Sequence, residues 1–178
     1  MAQASAKQRK KPFRAGGAAT AGGMNFQASV TAIACSHLLA DRPLNWLPGL
    51  VADTPDRIEA ETGGSGDDIG IVLQGGDTVE VQVKKGLSKG NKLWSTLESL
   101  ARGIASGSCD YGVLVVCPNS SANIRLKLAQ DIERLGDGRS DNLTDIGAEW
   151  LTYLSDMGLD PAETCRQLRV QTVSAVKA

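Results

Sequence analysis

The sequence lacks the cysteine patterns that define disulfide-rich and zinc-binding proteins. Cys35, Cys109, Cys117 and Cys165 are widely spaced, and no C-x-x-C pair occurs. Three of the four lie in apolar segments, where a cysteine behaves as a small hydrophobic residue. The spacing therefore favours buried free thiols over disulfides or a zinc site, which suits a protein of the reducing cytoplasm.

Long apolar runs are also absent. No run reaches the ~18 residues that a membrane-spanning helix requires. The basic N-terminus is not followed by the apolar segment of a secretion signal. We therefore expect a soluble cytoplasmic protein with no membrane partner. The single histidine, His37, has no acidic or nucleophilic neighbour in sequence, which argues against histidine catalysis.

The chain has no strong net charge, but its charges are unevenly distributed. The formal net charge is -1, so no overall field argues for or against a polyanionic partner. Residues 1–21 contain lysine and arginine but no acid, whereas acidic residues crowd positions 53–77. This pattern is typical of a metal-dependent enzyme acting on a polyanion. A solvated tail beside a solvated loop produces the same pattern.

The 178 residues fit one folded domain preceded by a short arm. Residues 1–21 have almost nothing to bury and predict a flexible basic arm. Helical spacing of apolar residues begins at Asn25, after a break at Gly22-Gly23. We assign residues 22–175 to the domain. Because the last predicted strand closes the chain without a cap, we expect the N-terminal part of a larger protein.

A strand pattern at residues 78–85 is central to the functional interpretation. Valines alternate there with Glu80, Gln82 and Lys84, which is the period-2 pattern of a strand with one face in the core. The other face therefore carries a carboxylate, an amide and an amine in a row. Alternation places Gln82 and Lys84 on the same face and Lys85 on the opposite one. Such a polar face is also common where a strand is exposed to solvent.

Acidic residues precede this strand on two further predicted strands. A turn at residues 74–77 joins it as a hairpin to an apolar strand that begins at Asp67-Asp68. The strand before that one, residues 57–62, places Glu61 on its polar face. Three consecutive strands would thus bring acidic or polar groups to one side of a sheet. Each of these acids alone is also compatible with an ordinary turn or surface position.

The rest of the chain predicts alternating helices and strands. A nearly all-apolar run at residues 111–117 is typical of a central strand covered on both faces. Ser120 or Ser121 is expected to cap the helix that follows. This order indicates an α/β layered fold, with a central mixed sheet and flanking helices. The remaining predicted helices cover residues 93–104, 121–135, 143–154 and a short stretch from 160, and the last strand covers 168–173.

Four short motifs, in this order, resemble the PD-(D/E)xK nuclease superfamily. They are GG-x-x-FQ at residues 22–27, Glu61-Thr62, GDDI at residues 66–69 and QVKKGL at residues 82–87. They most resemble the N-terminal DNA endonuclease domain of bacterial antiphage effectors, such as CBASS effectors with a SAVED domain and antiviral STAND NTPases. The resemblance covers about residues 16–174 and implies a restriction-endonuclease-like fold.

The resemblance implies a Mg²⁺-dependent hydrolysis of phosphodiester bonds in double-stranded DNA, with Mn²⁺ as an alternative metal. Asp68 would be the central metal ligand, with Asp67 as the alternative to it. Glu61 would supply a second acid, directly or through water. Gln82 would offer an amide oxygen where the general pattern has an acid. Lys84 would orient the attacking water and balance negative charge.

The resemblance also implies supporting residues and partners. Gln27 would support the site from the first helix. Because Lys85, Lys89 and Lys92 lie close to the predicted site in sequence, we expect them to bind DNA phosphates. No helix-turn-helix or zinc-finger pattern is present, so binding should tolerate many sequences. Members of such families seldom act as lone domains. We therefore expect a homo-oligomer, activated through a sensor or ATPase domain absent from this chain.

Two other functions are compatible with the same residues. The first is a catalytically inactive nucleic-acid-binding or oligomerisation module on the same fold, which the replacement of an acid by Gln82 favours. The retained Lys84 argues against this loss of activity. The second is a metal-free protein-interaction domain, in which Asp68 and Lys84 would tolerate replacement.

Overall fold

The alternating valines of the central strand lie in a five-stranded sheet. The computed structural model describes residues 16–60 and 69–174, with side chains from residue 25 onward. The strands follow the order β1-β2-β3-β4-β5 across the sheet. Their bounds are β1 Pro55–Ala60, β2 Ile69–Leu73, β3 Thr78–Lys84, β4 Tyr111–Val116 and β5 Leu168–Thr172.

Helices flank the sheet on both faces, and their apolar positions follow the predicted helical spacing. In the described ranges, no helix is both long and apolar enough to cross a membrane. A π-helical segment, Asn123–Leu128, runs directly into α3. The α-helices are α1 Gly16–Leu39, α2 Asn91–Ala105, α3 Ala129–Gly136, α4 Asp145–Asp156 and α5 Pro161–Arg166.

The sheet is mixed, as the sequence predicts for its α/β class. β1, β2 and β3 pair antiparallel, and β3, β4 and β5 pair parallel. The end of β1, the start of β2 and the ends of β3, β4 and β5 consequently share one margin of the sheet. We call this margin the carboxyl end, defined by Ala60, Ile69, Lys84, Val116 and Thr172. The opposite margin, the amino end, is defined by Pro55, Leu73, Thr78, Tyr111 and Leu168.

Two apolar cores lie on the two faces of the sheet. Val79, Val81 and Val83 belong to the core that includes α1 residues such as Val30. The other core joins β4 to α2, the π-helical segment and α3 to α5. In it the rings of Trp94 and Trp150 stack with centroids 6.4 Å apart. Both faces of the central strands are therefore covered, which the half-buried pattern predicted for β3 did not anticipate.

The first helix begins earlier than predicted. α1 starts at Gly16 and continues through Gly22-Gly23, where the sequence pattern indicates a break. Alanine is the strongest helix former, and a glycine in a helix costs only about 1 kcal/mol relative to it. The alanines of this stretch keep the glycine pair helical. Residues 16–21 of the predicted arm are therefore helical, and residues 1–15 lie outside the described residues.

Candidate functional site

The polar face of β3 is on the side of the sheet that α2 covers, and it is not open to solvent. Gln82 is only 5% exposed and pairs with Leu114 of β4, while Lys84 is half-buried and pairs with Val116. The structure confirms that these two polar side chains share one face. Burying an amide is costly unless it finds hydrogen-bond partners. Position 82 is therefore not an ordinary solvent-facing position of a strand.

The three acidic candidates, Glu61, Asp67 and Asp68, lie outside the described residues. The structure does describe the two residues that flank their segment. Ala60 at the end of β1 pairs with Ile69 at the start of β2, and Ile69 pairs with Val81 of β3. Residues 61–68 are thus flanked on both sides by strand residues at the carboxyl end, immediately beside the strand that carries Gln82 and Lys84.

Gln27 lies on α1, which packs against β1 and β3. It is half-buried on this helix, and its neighbour Phe26 belongs to the same core as Val81 and Val83 of β3. Just beyond the C-terminal end of the helix, the Asp41 carboxylate accepts a 2.9 Å hydrogen bond from Gln74 in the turn between β2 and β3. The helix that carries Gln27 is thus anchored to the hairpin of β2 and β3.

The turn after β3 is tied to the turn after β4 by several hydrogen bonds. The Gly86 N–H donates to the Cys117 Sγ at 3.2 Å, and the Leu87 N–H donates to the Ser120 Oγ at 3.0 Å. The Ser121 N–H returns a bond to the Leu87 carbonyl at 2.9 Å. We call these four residues the turn clamp: Gly86, Leu87, Cys117 and Ser120. It fixes the backbone directly after Lys84 and Lys85.

The clamp was not predicted from the sequence. Ser120 or Ser121 was expected to cap the following helix, but the Ser120 Oγ bonds across to Leu87, 33 positions earlier. The backbone carbonyl of Ser121 accepts from Ile124 and Arg125 instead. A serine soon after an apolar strand was the only signal in the sequence. The partner could not be found without knowing that β3 and β4 pair.

The cysteine of the clamp differs in acidity from the other buried cysteines. All four cysteines are free thiols, and Cys109, Cys117 and Cys165 are buried, as predicted. Burial acts to raise the pKa of Cys117, but N–H groups of Gly86, Asn119 and Ser120 bring that pKa below its ordinary value. Burial raises the pKa of Cys165 to about 12. The carboxyl end therefore presents N–H donors that favour negative charge.

All three predicted phosphate-binding lysines are exposed, and one of them is engaged in an ion pair. Lys85 follows β3, and Lys92 lies in the first turn of α2; both are exposed. The Lys89 ammonium contacts the Glu149 carboxylate of α4, with 45% and 43% of the two side chains exposed. The structure thus places all three lysines around the turn clamp, and Glu149 partly neutralises one of them.

The amino end has a different character. Burial and the nearby Glu80 carboxylate raise the pKa of Cys109 to about 12, so the thiol is neutral near pH 7. Cys109 and Glu80 line a cleft of about 330 Å³, which extends across β3, β2 and β1 to Gly70 and Glu59. The cleft therefore begins at the amino end and reaches strand residues next to the carboxyl end.

A complete metal site is not found within the described residues. Across residues 25–60 and 69–174, no three His, Cys, Asp or Glu side chains are grouped so that they could hold a metal ion. Of the predicted ligands only Gln82 is described. Its amide oxygen is the hard, neutral type of ligand that Mg²⁺ accepts beside carboxylates. The described residues therefore supply one position suited to a Mg²⁺ ligand, Gln82, and one lysine on the same face, Lys84.

The fold and these residues define a mixed α/β domain with a polar, cation-rimmed carboxyl end. Comparisons with known protein families, with curated proteins and with solved structures gave no match.

Proposed function

We propose that this chain is a Mg²⁺-dependent endonuclease domain that hydrolyses phosphodiester bonds of double-stranded DNA on a restriction-endonuclease-like fold. The observation that supports this most strongly is the pairing around residues 61–68. Of their flanking residues, Ala60 pairs with Ile69, and Ile69 pairs with Val81, one residue before the buried Gln82. The sequence motifs assign acids to this segment and an amide and a lysine to β3.

The registers of the two strand pairs strengthen this argument. Ala60 pairs with Ile69, and Ile69 pairs with Val81. If both registers continued by one residue, position 61 would pair with 68, and position 68 with 82. Directly paired residues in a sheet carry their side chains on the same face. The proposal requires this row of Glu61, Asp68 and Gln82, with Lys84 two residues further along β3.

The residue types suit the proposed chemistry. A divalent cation, when bound, would polarise the phosphate and lower the pKa of an attacking water. Asp68 and Glu61 would hold it with carboxylate oxygens, and Gln82 would add a neutral amide oxygen. Lys84 would orient the water and balance the charge that develops on the phosphate. Lys84 is half-buried and lies two residues after Gln82 on the same face of β3.

The biological setting follows from the motif resemblance alone. The chain would act as the DNA-cutting effector domain of a bacterial antiphage defence protein. Activation would come from homo-oligomerisation driven by a sensor or ATPase domain outside this chain. The exposed lysines near the turn clamp suit a largely sequence-tolerant grip on the DNA backbone.

A second candidate function is DNA binding on the same fold without phosphodiester hydrolysis. Gln82 stands where the general nuclease pattern has an acid, and a neutral amide binds a divalent cation more weakly than a carboxylate does. On this basis the chain would be a nucleic-acid-binding or oligomerisation module. It predicts DNA binding without metal-dependent cleavage.

The direct test is cleavage of supercoiled plasmid with Mg²⁺, with EDTA in a parallel reaction. We expect the parent to nick or linearise the plasmid, and Lys84→Ala and Asp68→Ala to lose about 10³-fold in rate. Lys84→Arg should lose nearly as much, because a planar guanidinium does not replace a compact ammonium. Arg166→Ala removes a cation at the amino end and should cut like the parent.

Two results would contradict the nuclease. Equal cleavage by the parent and Lys84→Ala would place the activity elsewhere. Absence of cleavage by the parent, repeated in the full-length protein with its activator, would favour the inactive binding module. Thermal unfolding of each variant separates loss of activity from loss of folding.

A further inference from the structure

Ion pairs occupy some of the surface cations and leave others unpaired. Five exposed or partly exposed cations are paired with carboxylates: Arg57 with Glu59, Lys89 with Glu149, Arg102 with Glu98, Arg134 with Asp141 and Arg139 with Asp137. In the part of the chain that the structure describes, Lys85, Lys92 and Arg125 near the turn clamp form no such pair, and neither do Arg42, Lys127 and Arg166. Their charges remain available to a ligand.

Arg125 is held in place by the turn clamp. Its Nε donates a 2.9 Å hydrogen bond to the Ser120 carbonyl. The Ser120 Oγ in turn accepts from the Leu87 N–H in the turn that follows Lys84 and Lys85. A guanidinium has five N–H donors, and the bond to Ser120 uses one of them. The half-exposed side chain thus keeps donors for a partner while its position is fixed.

The position of Arg125 brings it to the same end of the sheet as Lys84. The π-helical segment that carries it begins soon after β4, whose last residue, Val116, pairs with Lys84. Such π-helical turns are rare and occur often at functional sites. The segment also packs against α4. Glu149 of α4 forms the ion pair with Lys89.

We infer that Arg125 binds a backbone phosphate of the nucleic acid beside the turn clamp. This inference rests on the proposed function, because it takes DNA as the ligand. One guanidinium can donate two parallel hydrogen bonds to the oxygens of one phosphate. Because the bond to Ser120 already holds the Arg125 side chain, less side-chain entropy is lost when it binds. Arg125 has no place in the motifs that suggested the nuclease.

The test measures DNA binding and does not depend on cleavage. A fluorescently labelled DNA duplex is titrated with the full chain in Ca²⁺ in place of Mg²⁺, over a series of NaCl concentrations, and followed by anisotropy. The key variant is Arg125→Gln, whose amide can still donate to the Ser120 carbonyl but carries no charge. Arg125→Lys retains the charge. Arg166→Gln is the matched control, an exposed arginine at the amino end.

Loss of one phosphate contact should lower the slope of log Kd against log salt by about 0.9 in Arg125→Gln. Between 50 and 200 mM salt, the affinity ratio of parent to variant should then shrink about 3.5-fold. Arg125→Lys should keep most of the slope, and Arg166→Gln all of it. Thermal unfolding should show that the variants are folded.

The inference is overturned if Arg125→Gln keeps the same slope and affinity as Arg166→Gln. It is also overturned if the folded parent binds no duplex at low salt. The two proposals fail separately. A protein that cuts DNA but is insensitive to Arg125→Gln contradicts only this inference. A protein whose binding depends on Arg125 but which never cuts contradicts only the nuclease.

Discussion

Two cysteines at opposite ends of β4 show how different the two ends of the sheet are. Cys109 precedes the strand and Cys117 follows it, and both side chains are 5% exposed. Burial and the Glu80 carboxylate raise the pKa of Cys109 to about 12. Burial acts in the same direction on Cys117, but surrounding N–H groups bring its pKa below its ordinary value. At equal solvent exposure the two pKa values thus shift in opposite directions, since Glu80 adds to the effect of burial at Cys109 and the N–H groups outweigh it at Cys117.

The same difference extends beyond the thiols. At the amino end, burial and the carboxylates of Asp77 and Asp110 raise the pKa of Tyr111. The Asp110 carboxylate there accepts bonds from the Thr78 N–H at 2.7 Å and its hydroxyl at 2.8 Å. At the carboxyl end, N–H groups and exposed lysines dominate among the described residues. In open α/β sheets, ligands bind outside the carboxyl ends of the strands. The contrast suits an anionic ligand at that end.

The largest effect expected from this comparison is in thiol reactivity. At pH 8 the ionised fraction of Cys109 is on the order of one in ten thousand because its pKa is about 12, whereas the lowered pKa of Cys117 gives that thiol a larger ionised fraction. A thiolate of lower pKa is a weaker nucleophile, which offsets part of this difference. We expect iodoacetamide to label Cys117 at least about 10-fold faster than Cys109, measured by mass spectrometry of the digested protein.

The pH dependence of labelling provides the control. The labelling rate of Cys117 should level off at a lower pH than that of Cys109, whose rate should still be rising tenfold per pH unit at pH 9 because its pKa is about 12. In denatured protein the two rates should become equal. Equal labelling rates of Cys109 and Cys117 in the folded protein would mean that the two ends of the sheet do not differ in local electrostatic potential.

The next effect concerns the turn clamp. Ser120→Ala leaves the Leu87 N–H without its acceptor in a buried place, since Ser120 is 3% exposed. Such a loss costs about 1–3 kcal/mol in the free energy of unfolding, measured by urea denaturation. Thr78→Val removes the hydroxyl bond to Asp110 at the amino end, where water can replace it, and should cost less than about 1 kcal/mol.

Ser120→Ala also tests whether the turn clamp supports the proposed catalytic site. We expect Ser120→Ala to lower the plasmid cleavage rate more than Thr78→Val does, because the turn it holds directly follows Lys84. Ser120→Thr keeps the hydroxyl and should restore part of both stability and cleavage. Equal stability of Ser120→Ala and Thr78→Val would mean that the clamp does not hold the turn.

Local pattern was sufficient for the features that depend on neighbours in sequence. Alternation in residues 78–84 predicted the strand, its hairpin partner and the shared face of Gln82 and Lys84, all of which the structure confirms. The burial of Gln82 was missed. A period-2 pattern does not distinguish a face open to water from one covered by a helix that comes later in the chain.

Contacts between residues that are far apart in the sequence could not be predicted from local sequence patterns. The Ser120–Leu87 bond joins turns that meet only because β3 and β4 pair in parallel. The Lys89–Glu149 contact spans 60 positions, and nothing near Lys89 indicates its partner. The acids at 61, 67 and 68 lie outside the described residues, so their assignment remains a prediction from the motifs.

The smallest effect expected from the comparison concerns the Lys89–Glu149 ion pair at the carboxyl end. Glu149→Gln releases the Lys89 ammonium, and because exposed pairs contribute about 0–1 kcal/mol, stability should barely change. Affinity for the labelled duplex at low salt should rise by less than about threefold. Glu98→Gln is matched in charge, since it releases Arg102 on α2. It should leave affinity nearly unchanged, and an equal rise in both variants would mean that overall charge, and not the carboxyl end, governs DNA binding.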